Sequence, residues 1–164
     1  MRITKQNLTL LSAIVTEKAQ PLALKEVMKA AFEAYLMVLL AGGSYRFYTQ
    51  SDHEMIEEDF RSLKNMFCAC GEGLISKDLV DHDSETVEGV IAYMGESTEH
   101  LVEDFCIASE TRDVGVGRKL PMPPTTGRWN RSDPNTILRV LCYRNDNTAN
   151  HFLKRTFQIA RRRV

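Results

Sequence analysis

A chain of 164 residues is long enough for one compact domain with a real core, or for one segment of a longer elongated protein. Its 43% hydrophobic and 26% charged content is ordinary for a soluble chain, and no apolar run approaches the roughly 20 residues that a membrane-crossing helix needs. The nearest run, Ala34 to Ala41, is far too short and no secretory leader pattern is evident, so a cytosolic setting is the expectation.

The formal net charge of −1 hides an asymmetry. Residues 1–50 carry 6 Lys and Arg against 3 Asp and Glu, residues 51–110 carry 3 against 16, and residues 111–164 carry 12 against 3. The simpler reading is that acidic and basic parts offset each other within one fold, since surface charge runs are usually solvated faces. The functional reading is that the basic end meets anionic lipid or an acidic partner, with Lys154, Arg155, Arg161, Arg162 and Arg163 as the contacts.

Apolar residues recur at three- and four-residue spacing along almost the whole chain, which predicts helices, and strand-like alternation is scarce. The stretch from about Gln6 to Val15 is amphipathic but short and precedes Pro21, so it reads as the tail of a helix. Leu24, Met28, Phe32, Leu36 and Leu40 line one side of the next helix, with Val27, Ala31, Tyr35 and Leu39 beside them, and so wide a stripe predicts deep packing. Gly42 and Gly43 would end it, because glycine accepts the left-handed conformation just past a last turn. Ser51 with Glu54 three residues on has the form of a capping box. Ile56, Phe60, Leu63, Phe67 and Cys70 follow as its apolar stripe, closed by Gly71 and Gly73.

From Ser76 to Met94 the apolar residues resume, but "DHDSE" interrupts them, which predicts a break near Asp83 with Ser84 as a new cap. Ser97 is placed to cap a helix through Leu101, Val102, Phe105 and Cys106 with an acidic outer face. Between Ser109 and Ser132 the periodicity stops, and the glycines, prolines and small polar residues are those of a long loop. Asp133 before Pro134 is a cap followed by proline at the first helical position, and Ile137, Val140 and Leu141 give that helix its buried side. Asp146 caps a last helix striped by Ala149, Phe152, Leu153 and Phe157.

The sum is an all-α bundle of about six helices, a single helical domain over 1–164 with residues 109–132 as an ordered strap. Within the strap, Leu120 and Met122 are expected to pack inward while Pro121, Pro123 and Pro124 hold it extended. Trp129 anchors it on the helices, and Asn135 and Arg139 belong to the same packing motif.

Catalytic chemistry finds little to work with. Cys68, His53 and Asp52 supply a nucleophile, a base and an orienting acid on paper, but nothing in their spacing brings them together. Cys68 and Cys70 are separated by one residue and no second pair completes a tetrahedron, so no metal is expected, and the four cysteines read as core or near-core thiols. His53, His82, His100 and His151 sit among polar neighbours and read as solvated helix residues. The "DHD" of 81–83 reads as an exposed helix end, and "AGGSYR" lacks the lysine and hydroxyl residue of a phosphate loop. The basic end has no base-reading pattern, so nucleic acid is not an expected partner. With no cofactor and no catalytic constellation in view, the expectation is a non-enzymatic interaction or scaffold role.

Two long stretches, "LMVLLAGGSYRFYTQSDHEMIEEDFRSLKNMFCACGEGL" (36–74) and "LPMPPTTGRWNRSDPNTILRVLCYRNDNTANHFLKRTF" (120–157), resemble the carboxyl-terminal end of the plant Munc-thirteen-like proteins, of the type linked to proton-pump translocation. The resemblance implies the C-terminal part of the second Munc homology domain, the far end of a long helical rod like those of vesicle-tethering subunits. It implies a protein of exocytic traffic, cytoplasmic and peripheral at the endosome or plasma membrane, with tethering-complex or SNARE proteins as partners. Family members are several times longer, so the chain corresponds to a fragment or a truncated relative, and apolar surface left by absent helices would favour a homo-oligomer. The alternative is a purely structural end-piece of the rod that contacts no partner itself.

Overall fold

The computed structural model describes residues 2–41, 47–70, 75–111 and 129–157. Seven α-helices occupy the described residues: α1 (Arg2–Ile14), α2 (Gln20–Ala41), α3 (His53–Cys70), α4 (Lys77–Gly95), α5 (Thr98–Thr111), α6 (Pro134–Tyr143) and α7 (Asn147–Phe157). No named strand occurs among these residues, and the all-α class expected from the periodicity is what the chain adopts. The strap residues Leu120, Pro121, Pro123 and Pro124, the glycines at 42, 43, 71 and 73, and Arg161, Arg162 and Arg163 lie outside the described residues.

α4 is the centre of the bundle. It packs most closely on α3 and also meets α2 and α6, while α6 lies on α5 and touches α7, and α1 docks on α3. The apolar stripes read from the sequence are the ones that meet here: Leu24, Met28, Phe32, Leu36, Leu39 and Leu40 of α2 are all buried. Phe32 meets Phe60 and Phe67 of α3 edge to face, with ring centroids 5.2 and 5.8 Å apart. Phe105 of α5 and Phe152 and Phe157 of α7 form a second cluster at 5.7–6.2 Å. Such contacts add to the burial of large rings, which is the main term holding helices together.

Several expectations are corrected by the fold. α4 runs unbroken from Lys77 to Gly95, with Ser76 as its cap. Ser84 does not start a helix; its hydroxyl is buried and donates to the Asp81 carbonyl at 3.0 Å. Val80, Ser84, Val87, Ile91 and Met94 keep helical spacing on the buried side, so the serine is a small member of the stripe rather than a gap in it. α3 is not capped by Ser51 and Glu54. The chain enters through a 3-10 turn at Gln50–Asp52, and Asp52 Oδ2 accepts from the Thr49 amide at 2.7 Å and from its hydroxyl at 2.9 Å, which moves the box two residues upstream. α1 starts at Arg2, earlier than its stripe suggested, and α5 runs to Thr111, where Ser109 satisfies its hydroxyl on the Phe105 carbonyl at 2.7 Å. Cys68 and Cys106 are exposed, not in the core, because each sits one residue past a core phenylalanine and is turned about 100° from it.

The caps read from "DP" and "ND" are present. Asp133 accepts from the Asn135 amide at 3.3 Å with Pro134 at the head of α6, and Asp146 Oδ1 accepts from the Ala149 amide at 2.7 Å.

Candidate interaction surfaces

The three helix ends around residue 95 are tied by one side chain. Arg144 follows α6 directly and is only 3% exposed. Its Nη1 donates to the Met94 carbonyl at 2.7 Å, and its Nη2 donates to the Glu96 carbonyl. Gln50 Nε2 donates to the Gly95 carbonyl between them at 2.8 Å. The last carbonyls of α4 are thus satisfied by a cation and an amide, and the positive charge sits at the negative end of the helix dipole. The Tyr48 amide donates to the Tyr143 carbonyl at 2.8 Å and the Asn145 amide to the Tyr48 carbonyl at 2.9 Å, which pins the strand-like entry to α3 on the same knot. Burial lowers the pKa of the Arg144 guanidinium, against the pull of Asp146, Glu96 and Glu99, and an arginine keeps its charge in such a setting. Sequence reasoning missed Arg144; the signal was an arginine between two helices in "YRNDN", with an aspartate two residues on.

Between α3 and α4 runs a groove of about 560 Å³. Lys64 crosses it, with Nζ 2.9 Å from Asp81 and 2.5 Å from Glu88. Partial burial disfavours the ammonium, but bonds to Glu88 and Asp81 outweigh it and hold the lysine above its ordinary pKa. The bond from Lys64 also holds the Asp81 carboxyl below the usual range. His53 and Cys68 both line this groove. They lie fifteen residues apart on one helix, roughly 22 Å at 1.5 Å per residue, and Asp52 is engaged with Thr49. The three residues that could form a nucleophile, base and acid are therefore not brought together. His53 is half-buried against Gly95 rather than fully solvated, whereas His82, His100 and His151 are exposed.

Trp129 is 5% exposed and belongs to the core. It lines a small cavity with Phe32 and Leu36 of α2 and Val87 of α4. The residues after it are held on α4: Tyr93 Oη donates to the Arg131 carbonyl at 2.9 Å, and the Arg131 guanidinium lies over the Tyr93 ring at 5.2 Å. Asn135 and Arg139 are both half-buried in α6. Lys154 and Arg155 stand exposed in the last turn of α7, with Arg155 on the rim of a hollow between α5 and α7.

A bundle of amphipathic helices tied at their ends, with grooves between α3 and α4 and between α5 and α7, defines an all-α helical-bundle class. Residues 1–163 match the profile of the family described as "PATROL1-like, TPR repeats", and the chain belongs to that family. It is also 30% identical over 153 residues to a protein of Arabidopsis thaliana named "Protein unc-13 homolog". That match covers 92% of this chain and 13% of the relative, so the chain spans about an eighth of the relative's length. No solved structure matches it. The resemblance to Munc-thirteen-like proteins read from the two sequence stretches is thereby shown. No helix among the described residues is long and apolar enough to cross a membrane.

Proposed function

We propose that the chain is a non-enzymatic protein-binding module of vesicle traffic, acting in tethering and SNARE-dependent delivery of proteins to the plasma membrane. Its partners are tethering-complex or SNARE proteins, and it works on the cytoplasmic side, peripheral at endosome or plasma membrane. In this reading 1–164 is one helical unit, in which Trp129 and the residues after it brace α6, with its Asn135 and Arg139, against α2 and α4.

The observation that carries the proposal is the two-sided character of α1. Leu8 is buried at 3% exposure, while Ile3, Leu10 and Ile14 are 73%, 59% and 81% exposed. At about 100° per residue these three and Asn7 fall on one side of the helix, roughly a third of a turn from Leu8. A docked helix with a second apolar stripe in water marks a surface that another protein element covers. Helical repeats bury such faces on their neighbours, which agrees with the family's description. The name of the Arabidopsis relative supports a trafficking partner as that element.

The test is a pull-down from plant cell extract with the tagged chain. Tethering or SNARE proteins are expected above a tag-only control, and their absence would favour a purely structural end-piece. The exposed Lys154 and Arg155, with Arg161, Arg162 and Arg163, give the second reading, contact with an anionic membrane. Co-sedimentation with phosphatidylserine vesicles decides it: Arg161, Arg162 and Arg163 replaced by Ala should reduce binding, and unchanged binding removes the lipid role from the tail.

A further inference from the structure

The hollow between α5 and α7 has a volume of about 570 Å³ and a floor made by Val102 and Phe152, both half-buried. Its two walls differ in sign. On the α5 side Glu99 lines the hollow, with Glu103 exposed one turn further along the helix; on the α7 side Arg155 lines it beside His151, with the exposed Lys154 adjacent in sequence. Glu99 accepts from the Thr148 hydroxyl at 3.2 Å. Among the described residues Glu103, Lys154 and Arg155 make no ion pair within 4.0 Å. One molecule therefore holds an acidic wall and a basic wall side by side without joining them.

We infer that this face pairs with a second copy of the chain about a two-fold axis. With the two-fold axis running along the hollow between the helices, α5 of one protomer faces α7 of the other, so the acidic side meets the basic side and the same contact is made twice. A partner of one sign would satisfy one wall and oppose the other. Ile107, one turn beyond Glu103 on α5, is 56% exposed and adds apolar area beside the acidic residues. Two helix faces about 20 Å long offer several hundred Å² per protomer, the low end for specific association, so the expected dimer is micromolar and weakens as salt screens its charges. The inference rests on the reading of Lys154 and Arg155 as contacts for an acidic partner and narrows it to this chain's own Glu99 and Glu103.

The experiment is a charge swap read by sedimentation equilibrium at about 50 mM and 500 mM salt. Wild type is expected to dimerise, more weakly at high salt. Glu99→Lys with Glu103→Lys, and separately Lys154→Glu with Arg155→Glu, should each lose dimer at least tenfold. All four residues are exposed, so helical circular dichroism should not change. Mixing the two variants should restore the dimer, because both contacts in the mixed pair are then of opposite charge. A monomeric wild type, or a dimer untouched by either variant, overturns the inference. Failure of the mixture to recover does so too. Binding of Lys154 and Arg155 to anionic vesicles by a chain that stays monomeric would assign the basic wall to lipid instead, and would leave the pull-down result for α1 unaffected.

Discussion

Replacing Arg144 with Ala would strand the carbonyls of Met94 and Glu96 in a site where the wild-type side chain is 3% exposed. Each lost bond to a charged donor costs about 1.5–3 kcal/mol, so the variant should unfold roughly 3–5 kcal/mol more easily in urea. Arg144→Lys should recover only part of this, since a single ammonium lacks the fork that reaches both carbonyls. A loss within about 0.5 kcal/mol would contradict the account of the knot. Tyr35 offers a second residue-scale test. Its hydroxyl donates to the Ile56 carbonyl at 2.8 Å, and burial, with the charges of Asp59 and Tyr48, pushes its pKa up to about 12. The folded value lies above the unfolded value of about 10, so the protonated phenol is the form the fold favours. Its contribution is complete below pH 10 and is lost as pH rises through about 12. Titration by absorbance at 295 nm, wild type against Tyr35→Phe, should place the ionisation that the variant lacks near pH 12, and its appearance near pH 10 with helicity intact would refute the assignment.

At the scale of elements, α3 and α4 approach closely where His53 meets Gly95. A Cβ on Gly95 would lie 2.8 Å from the His53 ring, so Gly95→Ala must displace the imidazole. The variant should melt several degrees lower, and His53→Ala in the same chain should recover most of the loss; equal losses in the single and double variants would show that the ring is not the obstacle. Trp129 joins the segment before α6 to α2 and α4. Trp129→Ala should cost about 3–5 kcal/mol for a ring this deeply buried, measured by denaturant titration, and an unchanged midpoint would remove its anchoring role. The element scale also shows what the sequence could express. The stripes of α2, α3 and α6 and the caps at Asp133 and Asp146 were legible because they follow local periodicity and local hydrogen bonding. Ser84 and the entry to α3 were misread, since a buried serine and a polar break look alike in one dimension. Arg144 was legible only as an arginine between two helices; its role was not, because its partners at Met94 and Glu96 lie some fifty residues away.

For the whole molecule, the bundle leaves one helix docked on a single side. The spacing of Ile3, Leu10 and Ile14 was present in the sequence, but only the placement of Leu8 against α3 shows that the stripe faces water. The same limit applies to the α5–α7 hollow, whose opposite charges are far apart in the chain. Fold class and family membership follow from long patterns, whereas surfaces depend on which faces the packing consumes.

The most direct measurement of the central claim is the plant-extract pull-down repeated with Leu10→Glu and Ile14→Glu together. Both residues are exposed, so the variant should keep the wild-type melting temperature. The account predicts that tethering or SNARE proteins captured by the wild-type chain are lost from the variant. Equal recovery by both chains would contradict it, because the α1 stripe would then not be the partner surface.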